Sequence, residues 1–255
     1  MGFAVVLLSS ACAARRVALP ADAGTPLPEF REIHASITAA CSTVRTLTAE
    51  LALAGRAGGR GVRGRAIVGF ARPDAMRLEG VAPFGPPAFI LAARGGTATL
   101  LLPRDSRVLT ATRPEEILGA LAGVALTPAD LQAILTGCVT PVQEAAAGRL
   151  HGNRWASVQA AGGSTLYLER VGAAWQLRAA RRPGWEIGYG DWRGTFPGRV
   201  RLHATSETLD VDLSVSVSQL ETNVDLDPVA FQVTVPADAL DVTIEELRRA
   251  GPLRQ

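Results

Sequence analysis

Residues 209–217 alternate without a break. Leu209, Val211, Leu213, Val215 and Val217 fall on one side, and Asp210, Asp212, Ser214 and Ser216 on the other. A helix would wind the two sets into one mixed surface, whereas a strand separates them into a dry face and a wet face. The same period of two rules the stretch after Val62. Val62, Ala66, Val68 and Phe70 share a face opposite Arg63 and Arg65, and Met76, Leu78 and Gly80 alternate with Arg77 and Glu79. Phe89–Ala93 and Ala98–Leu102 are more evenly apolar and meet at Gly95-Gly96, a hairpin signal. Pro103–Ser106 turns into Val108 and Leu109. Upstream, Leu47, Ala49, Leu51 and Leu53 alternate as a strand does, and Gly55–Gly61 is expected as a turn. The region predicts an antiparallel meander.

Helical spacing breaks this pattern at four places. Phe30, Ile33, Ile37, Ala40, Cys41 and Val44 predict an amphipathic helix over 28–45, which puts His34 on its polar side. Thr112-Arg113-Pro114-Glu115 and Thr127-Pro128-Ala129-Asp130 each read as a helix start, with a Thr cap and an acid three residues on. The first of these two short helices presents Ile117, Leu118 and Leu121. The second presents Leu131, Ile134 and Leu135 and closes near Gly137. Strand patterns resume at Trp155–Ala160, Thr165–Arg170, Trp175–Ala179, Trp185–Tyr189 and Val200–Ala204. A turn at Asp227–Phe231, a strand at Gln232–Val235 and a capped helix from Thr243 end the chain. The expected class is α+β: a single curved antiparallel sheet, open as a half-barrel, covered by an N-terminal helix and a two-helix insertion.

At 255 residues the chain has enough length for one large core. Its side chains are 47% hydrophobic and only 20% charged, which argues against wholesale disorder. All 26 basic residues are Arg against 24 acids, a net charge of +2. The missing Lys reflects composition bias, and a near-neutral chain gives no nucleic-acid footprint. The stretch Gly58–Arg65, with Arg and Gly interleaved, therefore reads as a solvated strand face and not as an RNA-binding segment.

Chemistry-bearing residues are scarce. His34, His151 (read as a loop residue) and His203 (on a polar strand face) have no companions at metal-ligand spacing and are expected on the surface. Gly162-Gly163-Ser164 is a hairpin turn, and no G-x-S-x-G elbow is present. Gly188–Gly194 has the wrong spacing for a dinucleotide fingerprint and reads as a bulged loop. Glu115-Glu116 and Glu245-Glu246 sit in first helical turns, where acids answer the helix dipole. No residue nominates itself for catalysis, so the expectation is a protein that is not an enzyme and needs no cofactor or metal.

The N-terminus adds a compartment. Met1–Ala11 carries no charged side chain and runs into Cys12, and Leu8-Ser9-Ser10-Ala11-Cys12 resembles the lipobox of a bacterial lipoprotein signal peptide. The resemblance implies a signal over 1–11, lipidation of Cys12 and a flexible tether over 12–27 rich in Ala, Pro and Gly. With Ala13 after the Cys, it also implies an outer-membrane destination, on the periplasmic side. If Cys12 carries lipid, Cys41 and Cys138 remain, in a compartment that permits disulfides. They are either bridged or two isolated buried thiols.

Arg77-Leu78 followed by Ala82-Pro83-Phe84-Gly85 resembles the Tyr-Arg-Leu strand and Asn-Pro-Leu-Gly loop of the LolA/LolB family of lipoprotein carriers and receptors, with Ala82 in place of the Asn. Ala111–Leu118, Leu121–Gly123, Leu131 and Ile134–Gly137 are similar to that family's helical lid in spacing. The chain is closer to LolB, over 28–255, and its tail from Val224 to Gln255 runs past the end of a compact receptor. The resemblance implies an apolar cavity under a lid of Ile117, Leu118, Leu121, Leu131, Ile134 and Leu135. It also implies that the cavity holds acyl chains of lipoproteins or lipids, that a periplasmic LolA-like carrier is a partner, and that Phe84 touches the membrane. The alternatives are a structural or assembly lipoprotein of the same fold with a filled core, and a Phe84 packed under its loop as a plug.

Overall fold

Alternation decides the architecture, because a strand with one dry face must pair and be covered. The computed structural model describes residues 17–123, 125–139, 144–206 and 209–250. Strand β1 (Thr25–Pro26) and helix α1 (Phe30–Ser42) open the described chain. A first meander follows: β2 (Thr46–Ala57), β3 (Arg60–Ala71), β4 (Ala75–Val81), β5 (Phe89–Arg94), β6 (Thr97–Leu102) and β7 (Arg107–Thr112). Helices α2 (Pro114–Ala122) and α3 (Pro128–Thr136) interrupt the sheet. The second meander is β8 (Ala145–His151), β9 (Trp155–Ala160), β10 (Ser164–Val171), β11 (Ala174–Arg182), β12 (Trp185–Gly190), β13 (Arg199–Ser206) and β14 (Leu209–Thr222). A 3-10 turn at Pro228–Phe231, strand β15 (Leu240–Asp241) and helix α4 (Ile244–Ala250) complete it.

All of these strands belong to one open, curved sheet, in the order β1-β8-β9-β10-β11-β12-β13-β14-β2-β3-β4-β5-β6-β7-β15. Each meander pairs hairpin to hairpin, and β14 lies against β2 to join them, with Val215 opposite Leu53 and Val217 opposite Leu51. Every pairing is antiparallel except β15 with β7. In-register apolar pairs then accumulate on one face: Leu51 opposite Ala66, Val68 opposite Leu78, Leu78 opposite Leu91 and Leu202 opposite Leu213. This concave face carries the core, and α1, α2 and α3 cover it. The α+β half-barrel is therefore the observed class.

Several expectations change. β2 continues through Gly55 to Ala57, so the turn is confined to Gly58-Gly59. Thr112 ends β7 and does not cap α2; the cap position is Arg113, which makes no side-chain cap bond. Gly188 and Gly190 are strand residues of β12, and the irregular segment begins only at Asp191. β8 had no alternation to announce it. It forms because Gly148 leaves room for Phe30, whose Cβ would lie 2.3 Å from any Cβ placed there. Residues 232–235 form no strand. The tail instead wraps the wet face of β4, where Arg77 donates from Nη1 to the carbonyls of Ala230 and Gln232 at 3.0 and 2.9 Å. It then pairs through β15 and packs α4 against α2, burying Phe231, Val242 and Leu247. Of the expected tether, Thr25–Pro26 is instead docked on β8 and Leu27 is buried. Residues 1–11 and Cys12 lie outside the described residues.

Candidate functional site: an apolar cavity under two helices

Both helices owe their placement to local chemistry. Thr127 and Asp130 form a reciprocal capping box at the start of α3, and Gly137 ends it in the left-handed region at φ 84°, a geometry that favours glycine. α3 is then pinned twice. Its Asp130 pairs with Arg182 of β11 at 3.1 Å, and Cys138 just beyond it is disulfide-bonded to Cys41 at the end of α1, with Cα atoms 5.8 Å apart. α2 has neither constraint. It ends at Gly123, also left-handed.

Between these helices and the sheet lies a cavity of about 170 Å³. Leu118, Leu121 and Ala122 of α2 and Leu131, Ile134 and Leu135 of α3 form its roof. Leu51, Leu53, Val62, Ala66, Leu78 and Phe89 of the first meander floor one side, and Val200, Leu202, Leu213 and Val215 of the second floor the other. Five of the six lid residues read from the sequence thus meet in one space. Ile117 is fully buried but does not line it. The floor was equally legible, since its residues are the dry face of the alternating strands. Charged side chains enter the lining only at its rim, through Arg63 and Arg65. Such a space offers no directional bonds and suits a hydrocarbon.

Phe84, between β4 and β5, is 88% exposed. Its carbonyl accepts from Arg104 Nη2 at 2.6 Å, which ties the loop backbone to the β6–β7 turn and leaves the ring outside. Phe84 is therefore no plug.

The histidines correct the sequence reading. His34 is buried, on the face of α1 shared with Thr38 and Cys41, and burial pushes its imidazole pKa down. His151 ends β8 and is buried, with Nδ1 2.9 Å from Asp22 Oδ1 and Nε2 2.9 Å from Ser157 Oγ. The hydrogen bond from His151 holds the Asp22 carboxyl below its ordinary range. The order Ser-His-Asp is that of a hydrolase triad. However, Ser157 alternates with Ala156 and Val158, which face the core, so it lies on the far face of β9. It does not line the cavity. The trio acts as a latch that holds residues 22–26 on β8. Beneath α3, burial pushes the Tyr189 hydroxyl far above its usual range, so it stays neutral. Among the described residues no cluster of His, Cys, Asp and Glu could hold a metal, and no helix is long and apolar enough to cross a membrane.

Comparison with known proteins places the fold. No protein-family profile and no curated protein sequence matches the chain. Solved structures do. The chain is similar to a DUF1329 family protein from Desulfovibrio piger, at a TM-score of 0.51 and 11% identity, over 82% of this chain and 98% of that one. It is equally similar to a LolA superfamily protein from Nitrosomonas europaea, at a TM-score of 0.51 and 9% identity, over 79% of this chain and 98% of that one. The fold is that of the LolA-like half-barrels.

Proposed function

We propose that this protein is a LolB-like outer-membrane lipoprotein that takes acyl chains of lipoproteins or lipids beneath α2 and α3 and assists their insertion. The observation that carries the reading is the cavity itself, apolar on both roof and floor and set under a helix pair of which only α3 is tied by a disulfide and an ion pair to the sheet, while α2 rests on α4. A space of about 150 Å³ accepts a benzene ring, so 170 Å³ holds only the end of a chain. A longer length requires α2 to swing away from the sheet, while α3 stays fixed by its bridge and ion pair. The reading requires no cofactor and no covalent chemistry, and the protein acts as a carrier and not as an enzyme. Cys12 would anchor it on the periplasmic side, a LolA-like carrier would supply the cargo, and Phe84 would enter the membrane interface during transfer, where an aromatic ring can bury its area.

The test is mass spectrometry of detergent-free protein repurified after exposure to lipid vesicles. Wild type and Glu116→Gln should retain lipid. Leu121→Asp should not, because it puts a carboxylate into the roof. A wild-type protein that retains none would overturn the carrier reading in favour of a filled structural lipoprotein. Separately, Cys12→Ser should release the protein from membranes; a variant that stays bound through a high-salt wash would remove the anchor.

A further inference from the structure

At Arg63 and Arg65 the cavity adjoins a second space, and that border is cationic. β4 ends at Val81, opposite Arg65, so among the described residues β3 from Arg60 to Gly64 has no strand neighbour on that side. Val62 and Gly64 of this bare edge line the apolar cavity. Around the same edge, on the wet face of the sheet, lies a groove of about 870 Å³ floored by Ala52, Ala54, Ser214 and Ser216 and walled by Val81–Pro83. The two spaces share Leu53, Arg63, Gly64 and Arg65. A chain lying in one can therefore continue over the rim into the other.

We propose that the cargo is an amphiphile with an anionic phosphate headgroup, its acyl chain in the cavity and its phosphate in the outer groove on Arg63 and Arg65. This rests on the acyl-chain reading above and adds the headgroup to it. Arg63 is exposed, and its side chain makes no hydrogen bond or ion pair among the described residues. Arg65 shares Glu50 at 3.1 Å but keeps 67% of its side chain exposed. Among the described residues no acid lines the groove, and the sequence holds none from Leu51 to Pro73 while placing five arginines there. A neutral headgroup, such as the glyceryl thioether of a triacylated cysteine, would leave this charge unanswered. A planar guanidinium instead matches two phosphate oxygens at once. Small side chains on the floor give the headgroup its room.

The experiment incubates the full chain with vesicles of phosphatidylglycerol or with chain-matched diacylglycerol dispersions, repurifies it and counts bound lipid. Phosphatidylglycerol should be retained about tenfold better, a difference near 1.4 kcal/mol. Arg63→Gln, with an unchanged melting temperature, should erase that preference, and Arg63→Lys should restore part of it. Salt at about 500 mM should weaken it as well, because an exposed charge is screened. Inorganic phosphate alone should not displace the lipid; if it does, the groove is a free-phosphate site and the lipid proposal falls. Equal retention of both lipids, unchanged in Arg63→Gln, would overturn the headgroup site and leave the acyl-chain reading standing. Retention of neither would overturn both.

Discussion

The two ends of the concave face are covered differently. Under α1 the sheet is packed solid: Val158, Leu168, Ala180 and Ile187 are all at most 1% exposed, and Gly148 lets Phe30 sink against β8. Under α2 and α3, leucines of the roof face Gly64 and Ala66 across a gap. Both regions are apolar. What separates them is fit: an aromatic ring seated in a backbone notch fills its layer, whereas two rows of leucine ends meeting over small residues do not. Hydrophobicity therefore placed the cover, and shape decided which part of it is hollow.

The covalent tie between the two regions is the strongest point at which to break this contrast. Cys41→Ala combined with Cys138→Ala opens a bridge spanning 97 residues. It should lower unfolding stability by about 4.7 kcal/mol in a denaturant titration, following the loop-closure relation. It should also loosen α3, leaving the Asp130–Arg182 ion pair as its remaining tie to the sheet. Next come truncations on either side. Leu168→Ala, in the solid region, should cost about 3 kcal/mol, while Leu131→Ala, beside an existing gap, should cost about 1 kcal/mol. Equal costs would mean that the two regions are packed alike.

Acid provides a milder probe of the solid region. His34 has its pKa lowered by burial, so the folded state binds its proton less readily than the unfolded one. Stability should thus decline as pH falls below the unfolded value of about 6.5, a loss that continues down to the folded pKa. His34→Gln should flatten that decline below about pH 6.5, as read by melting temperature. Asp22 shifts in the same direction but in the carboxylate range, so the two windows separate. The smallest stability change belongs to Phe84→Glu, expected within about 0.5 kcal/mol of wild type. Its effect should be functional, a slower transfer of bound lipid to vesicles. A large loss of stability would place the ring in a packed setting.

Elements whose reason is local could be read from the sequence. The alternation at 209–217, the Gly95-Gly96 hairpin and the Thr127–Asp130 cap each contain their own cause within a few residues, and all three form. The roof of the cavity was legible for the same reason, because Leu118 and Leu121 in α2, and Leu131, Ile134 and Leu135 in α3, recur at helical spacing. What escaped depends on distant partners. Ala145–His151 becomes a strand only because Phe30 and the segment at Thr25 lie against it. His34 and His151 look like surface residues until α1 and Asp22 are in place. Residues 232–235 have a strand's composition, yet the chain entering them is held across β4 by Arg77, which donates to the carbonyls of Ala230 and Gln232. The meeting of two cavities at Arg63 required the shortness of β4 to be known, and no pattern within β3 announces where its neighbour stops.

The seam between β14 and β2 has a consequence for how such a chain comes into being. The strand that completes the middle of the sheet is the last long one synthesised, and it pairs with the first, Ser216 opposite Ala52. Until residue 217 has emerged, β2 offers a bare edge of 12 residues with an apolar face beneath it. That is the geometry that recruits stray strands, and closing it demands a contact far apart in sequence, which is slow to form. A nascent chain of this topology therefore depends on being shielded until its final third arrives, and a truncation near residue 205 should aggregate where one near 235 should not.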